Sequence, residues 1–419
     1  MRSRARLLVL TLTTIVSLAG SASTAHAAPP PNMVLAWNGN FQQALVVAKT
    51  PPPAANRMGA IVQSAVFDAV NGIEKHFTPI HVAAIGPDDA SPQAAAASAA
   101  RDVLVSLFPG QTATFDAELQ ASIQSLGDDE DGSELAAGVA WGHTVAGQII
   151  DWRNHDHFGD VLPPYVPSGL PGRWAPTPGP FFAGAPLFRT LGVTTPFALT
   201  SPAQFAPPGP PALGSARYNQ DLAEVMTMGA RNSTARTPDQ AQTVVFWGGP
   251  GDTPVGQWDR VAVDLAQQNH FNLMKSAHLL AMVNISIADA VISVFYAKNL
   301  FDSWRPITAL NPTFNPAGFF PLLVNPYFQE YPSAHSGTSS AATATLASIF
   351  GENTTFTVTS LALPGVMRTF NNFSAAAAQV GDARVFAGIH FRSACDDGIT
   401  MGVQIAAYVK SHIAVRTED

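Results

Sequence analysis

Three stretches carry residues whose types and spacing could do chemistry. In 298–306, Lys-Asn-Leu-Phe-Asp-Ser-Trp-Arg-Pro, the cations Lys298 and Arg305 stand seven residues apart. Two α-helical turns are about 7.2 residues, so on one helix both side chains leave the same face. Like charges there call for a shared anion, unless both are simply solvated at the surface. Pro306 disfavours helix at the preceding residue and puts Arg305 near a helix end. Residues 332–336 read Pro-Ser-Ala-His-Ser, ahead of a helix of Ala, Ser and Thr. A helix N-terminus presents unpaired N–H groups and the positive end of its dipole, which suits an oxyanion. Ser333 could add a hydroxyl and His335 a proton; the plainer alternative is a Ser-capped helix with a satisfied histidine. Residues 384–393, Arg-Val-Phe-Ala-Gly-Ile-His-Phe-Arg-Ser, put Arg384 and His390 in an apolar setting. Six residues do not align on one straight helix face, so a break is expected at Gly388. The alternative is a buried structural Arg and His.

The elements that must position these residues read as helices. Ile61, Val62, Ala65, Val66, Ala69, Val70 and Ile73 recur at helix spacing between Arg57 and Lys75, as do Phe115, Leu119, Ile123 and Leu126. Further helices are expected over 133–152, 216–229, 259–269, 272–304, 336–350 and 395–413. Another opens at Thr237, with Pro238 at the first helical position and Gln240 completing a capping box. Strand signals are confined to a weak alternation from Thr354 to Ser360. Residues 161–212 are dense in proline, glycine and aromatics. They read either as an ordered loop that lays Trp174, Phe181, Phe182 and Phe188 over the bundle, or as a mere connector. No internal repeat stands out. The fold class is therefore all-α, a helical bundle with a long Pro/Gly-rich loop. Residues 28–419 are taken as a single α-helical domain, with the chemistry in 290–400.

The N-terminus has the layout of a secretory signal peptide over 1–27: basic Arg2, Arg4 and Arg6, an apolar run from Leu7 to Ala19, and Ala25-His26-Ala27 as the cleavage site. The apolar run is shorter than the roughly 20 residues a membrane span needs. A soluble, exported protein with no membrane span is expected, by the general secretory route since no Arg-Arg pair is present. Removing three arginines and no acids takes the formal charge from −8 to −11, which argues against a nucleic-acid partner. Only 12% of residues are charged, so cations gathered in one place carry information. The single cysteine, Cys395, cannot form an intramolecular bridge, and its two neighbouring aspartates would keep it an unreactive thiol.

Taken together, in this order and at these spacings, the three stretches resemble the signature of the type-2 phosphatidic-acid phosphatase and vanadium haloperoxidase superfamily: Lys, six residues, Arg-Pro; Pro-Ser-Gly-His; Arg, five residues, His. Phe67-Asp68-Ala69-Val70-Asn71, Phe205-Ala206-Pro207-Pro208, Arg236-Thr237-Pro238 and 304–309 also resemble bacterial haloperoxidase-like members, so the resemblance covers most of the chain beyond the leader. It implies an α-helical bundle enclosing vanadate, or phosphate in a phosphatase. Lys298, Arg305 and Arg384 would neutralise the equatorial oxygens, and Ser333 and the Ala334 N–H would hydrogen-bond them. His390 would ligate vanadium or attack phosphorus, and His335 would be the acid–base group opposite. Vanadate and phosphate share charge and shape, and five-coordinate vanadate is similar to the phosphoryl-transfer transition state, so one pocket can serve either chemistry.

With vanadate, the resemblance implies a haloperoxidase that takes hydrogen peroxide and halide to hypohalous acid, His335 accepting a proton and Lys298 polarising the oxidant. The alternatives are a secreted acid phosphatase working through a phosphohistidine, and an exported anion-binding protein with a degenerate site. Phe328 occupies the position that resembles the Phe of fungal chloroperoxidases and the His of algal bromoperoxidases, and Phe295 is expected to wall the same pocket. Asp239 or Asp289 is a candidate partner for an anion-site arginine. The pattern departs from the family at Ala334 for Gly, where Cβ would crowd the anion, at Ala383 for Ser, and at Ala394, where phosphatases carry the Asp that orients the histidine. Asp396 and Asp397 are the candidate substitutes. His155-Asp156-His157 is a thin ligand set and reads as a polar helix end rather than a metal site. Gly248–Gly251 lacks the Lys-Ser/Thr of a phosphate loop.

Overall fold

Helix-spaced apolar stripes become buried faces. Ile61, Val62, Ala65, Val66, Ala69 and Val70 are all buried on one helix, α2. The structure is a computed structural model and describes residues 32–127, 130–176, 184–310 and 318–417. In chain order the helices are α1 (Met33–Ala48), α2 (Pro52–Glu74), α3 (Pro92–Leu107), α4 (Thr112–Leu126), α5 (Gly132–Asn154), α6 (Ala216–Met228), α7 (Pro238–Gly248), α8 (Pro254–Gln268), α9 (Leu273–Phe301), α10 (Pro306–Ala309), α11 (Ala334–Phe350), α12 (Phe373–Phe386) and α13 (Arg392–His412). The all-α expectation holds. α7 opens with the expected capping box, Thr237 and Gln240 each bonding the other's backbone N–H. The extended piece at 354–360 is β1 (Phe356–Thr359), paired antiparallel with β2 (Met367–Phe370), which sequence did not reveal. α1, α3 and α12 also went unread.

Asn32–Asp419 is one compact unit, and the signal peptide expected over 1–27, like Phe181 and Phe182, lies outside the described residues. α9 is its axis, packing on α2, α8, α11 and α13. It is long and apolar enough to cross a membrane, and it is buried along nearly its whole length by neighbouring helices. α11 and α13 cross with almost no side chain between them. A Cβ on Gly402 would meet the Gly337 carbonyl at 2.2 Å, and one on Gly398 would meet the Ser333 carbonyl at 2.8 Å.

The long loop is ordered where it is described, and it is tied to α9. Fully buried Asp289 accepts the backbone N–H groups of Phe197, Ala198 and Leu199 at 2.7, 2.8 and 3.0 Å. Trp174 donates its N–H to the Asp302 carbonyl, and Leu187 to that of Tyr327. Asp289→Ala strands three donors whose lost partners cost about 1–3 kcal/mol each when buried. A lowered urea midpoint with unchanged slope is the expected result.

Candidate active site

Lys298 and Arg305 do not share a helix. α9 stops at Phe301 because Asp302 turns left-handed, at φ 48°. Arg305, held extended by Pro306, caps α10 instead. The expectation of one helix face is corrected, yet the turn still brings both cations inward, each fully buried.

Lys298 Nζ donates to the carbonyls of Gln329, Glu330 and Pro332 at 2.8, 2.8 and 2.6 Å. Three carbonyl acceptors use three N–H donors, which only the ammonium form supplies. Burial, with Arg305 adding repulsion, pushes its pKa well below the ordinary lysine value. Lys298 therefore fastens segment 329–332 and acts on any bound anion through its field, without an N–H to spare.

Arg305 Nε donates to the Phe328 carbonyl at 2.9 Å and Nη1 to that of Ile389 at 2.8 Å. Nη1 also lies 3.0 Å from His390 Nε2. α12 ends at Phe386, and the chain passes Gly388 at φ 78° before reaching His390, which is the expected break. His390 Nδ1 lies 2.8 Å from Glu330 Oε1, which also accepts the Phe391 N–H at 3.0 Å. Asp397 accepts from the Tyr331 hydroxyl and Asp396 pairs with Arg217, so neither stands in for the aspartate absent at Ala394. Sequence reasoning missed Glu330. Its signal was a carboxylate three residues before Ser333, in a chain with few charges.

Ser333 caps α11 and is fully buried. Its Oγ accepts from the Ser336 hydroxyl at 2.9 Å, leaving its own proton to donate. Ala334 is the first residue of α11. With His335, Phe328 and Arg384 it lines a cleft of about 450 Å³, walled by Phe188, Val291, Leu323, Ile389 and several prolines. Phe188, Phe295 and Phe328 form an aromatic cluster, with Phe295 and Phe328 centroids 5.2 Å apart. Lys298 and Arg305 lie over the Phe328 ring at 5.4 and 5.1 Å.

The three cations and two imidazoles share one field. Burial, then Arg384, Arg305 and Lys298, hold His335 well below the usual histidine pKa, and burial with the same cations does so for His390. Burial lowers Arg305 to about 9 and Arg384 to about 10, still cationic at neutral pH, and raises Glu330 to about 7 against the pull of Arg305 and Lys298. Among the described residues, Arg305 Nη2 and Arg384 Nε and Nη1 are buried with no hydrogen-bond partner. Each unmade bond of this kind costs about 1–3 kcal/mol, and a charged one more. Orphaned guanidinium donors beside a free hydroxyl and a helix N-terminus fit a tetrahedral oxyanion. A Cβ on Gly248 would sit 2.2 Å from Arg384 Nη1. Gly248→Ala therefore displaces that guanidinium, and phosphate affinity measured by calorimetry is expected to fall about tenfold, the loss of roughly one charged hydrogen bond.

Other candidates lie elsewhere. Asp239 pairs with Arg368 at 2.8 Å on the surface and Asp289 holds the loop, so neither meets an anion-site arginine. Asp156 bonds Arg57 and Arg153, and among the described residues no cluster of His, Cys, Asp or Glu could hold a metal ion. Gly248 and Gly249 line the cleft. Cys395 is buried, and burial pushes its thiol up to about 12.

Residues 278–418 match the family model of the VCPO second helical-bundle domain. The fold is similar to the crystal structure of a bacterial vanadium-dependent iodoperoxidase, with a TM-score of 0.82 at 25% identity over 94% of this chain and 100% of that one. It is also similar to holo-type and apo-type bacterial vanadium-dependent chloroperoxidases, with TM-scores of 0.69 and 0.67 at 16% and 17% identity. Those two likenesses cover 86% and 85% of this chain, and 91% and 94% of theirs. No curated protein matches the chain. The match of the second bundle and the likeness along nearly the whole fold place the chain in the vanadium haloperoxidase superfamily.

Proposed function

We propose that this protein oxidises halide with hydrogen peroxide to hypohalous acid, using vanadate held between its two buried arginines and two histidines. The observation that carries the reading is the set of orphaned guanidinium nitrogens on Arg305 and Arg384, gathered beside His335 and His390. Arg305 and Arg384 would bind the oxyanion directly, Ser333 through its hydroxyl and Ala334 through its N–H. Lys298 would contribute charge, its N–H groups being taken by three carbonyls. His390 would hold the vanadium through its Nε2 lone pair, with Arg305 Nη1 released to the anion. Vanadate, when bound, supplies a Lewis-acidic centre that needs no change of oxidation state. His335 bonds no described residue through its imidazole and lines the cleft, so it is placed to take a proton from the incoming peroxide. The aromatic cluster excludes water from the path of a polarisable halide. The leader at 1–27 puts this chemistry outside the cytoplasm in the same proposal.

The test is metal analysis of protein purified without phosphate, then vanadate loading and a halide panel. Vanadate-dependent halogenation of a phenol dye by peroxide is expected. No turnover with iodide, bromide or chloride at any pH from about 4 to 8 removes the reading. The Glu330–His390 pair favours a second reading, phosphomonoester hydrolysis through a phosphohistidine, since it supplies the carboxylate that Ala394 lacks. Vanadate-inhibited hydrolysis without peroxidase activity would select it.

A further inference from the structure

We propose that Glu330 is the positioning residue of His390, holding its imidazole as the Nδ1–H tautomer so that the Nε2 lone pair faces the anion. The role that the superfamily pattern gives to an aspartate four residues after this histidine is supplied here from the segment before Ser333. The inference rests on the oxyanion reading for its consequence, though not for its geometry.

The tautomer follows from donors and acceptors. Arg305 Nη1 lies 3.0 Å from Nε2, and a guanidinium nitrogen can only donate, so Nε2 carries the lone pair. The ring proton is then on Nδ1, 2.8 Å from Glu330 Oε1. That same oxygen takes the Phe391 N–H at 3.0 Å, which ties the carboxylate to the backbone next to the histidine. Glu330 is itself pinned on both sides. Its carbonyl accepts from Lys298 at 2.8 Å, its N–H donates to the Ser303 carbonyl at 3.0 Å, and the Tyr331 N–H donates to Ser303 Oγ at 2.9 Å. The other acids nearby are committed elsewhere. Asp221 accepts the Ser393 N–H and pairs with Arg217, Asp396 pairs with Arg217, and Asp397 accepts from Tyr331. One short segment thus places three groups: it anchors Lys298 by its carbonyls, orients His390 by the Glu330 side chain, and ends in the Ser333 cap of α11. A carboxylate behind a ligating histidine fixes the ring and raises its donor strength, and removing one typically costs ten- to hundredfold in affinity.

The test compares wild type, Glu330→Gln and Glu330→Leu in the full chain. Both bonds from the histidine side end on one oxygen, so a glutamine amide oxygen can accept both. Long-range nitrogen–proton NMR of histidine-labelled, anion-free wild type and Glu330→Gln should show His390 protonated on Nδ1; a ring protonated on Nε2 overturns the proposal. Calorimetry with inorganic phosphate and with vanadate should give Glu330→Gln within about threefold of wild type and Glu330→Leu about 10–100-fold weaker. Equal affinity for Leu and wild type also overturns it. Should the Leu variant not fold, the tautomer in the other two proteins decides. Wild type with the Nδ1–H tautomer and no affinity for either anion would sink the oxyanion reading while leaving the positioning geometry intact.

Discussion

His390→Ala is expected to remove halide oxidation to at most about one-thousandth of wild type and to weaken vanadate binding in parallel, a loss of the size seen when a group acting directly on the reacting centre is deleted. Three partners lose their complement at once. The anion loses the nitrogen proposed to hold it, Arg305 Nη1 loses an acceptor, and the Glu330 carboxylate keeps, among the described residues, the Phe391 N–H alone in a fully buried place. Buried polar groups left short of a partner cost about 1–3 kcal/mol each, so a lower melting temperature should accompany the lost activity. Steady-state bromide and iodide oxidation, vanadate calorimetry and thermal melting check this together. A variant that binds vanadate with wild-type affinity contradicts the assignment of His390.

His335→Ala should behave differently. This imidazole lines the cleft and hydrogen-bonds no described residue through its ring, so its loss strands no partner and leaves Arg305, Arg384 and Ser333 in place. Turnover is expected to fall about 10²–10⁴-fold, the usual contribution of a positioned acid–base group. Vanadate affinity should stay within about threefold, because the uncharged ring that burial and three cations enforce contributes little attraction to an anion. Equal losses in affinity and turnover would place His335 among the groups that bind. The contrast between the two histidines, one coupling binding to turnover and one separating them, is the clearest functional readout the site offers.

The sequence was legible where local chemistry decides structure. The Thr237 capping box, the break at Gly388 and the apolar stripe of α2 are written in short windows, and all three are found. α3 and α12 were not read because their faces are built from alanine, which buries well and marks no periodicity. Lys298 and Arg305 were correctly singled out but wrongly joined on one helix: the left-handed turn at Asp302 is held by tertiary bonds from Tyr165 and Trp174, residues more than a hundred positions away. Glu330 was missed for the same reason. Its distance to His390 is a fact of folding over 60 residues of chain, whereas Asp396 and Asp397 stand near the family's aspartate position in sequence alone. Phe188 likewise gains its meaning only once the loop is laid against α9.

The glycine seam between α11 and α13 bears on how this pocket can evolve. Gly398 rests on the carbonyl of the very serine that caps α11, and Gly402 on that of Gly337. Main chain touches main chain there, so no rotamer change can widen or narrow the gap between Ser333 and the start of the last helix. Mutational drift can repaint the cleft walls, and with them, on the proposed function, the choice of halide, while the spacing between Ser333 and the last helix behaves as a rigid gauge.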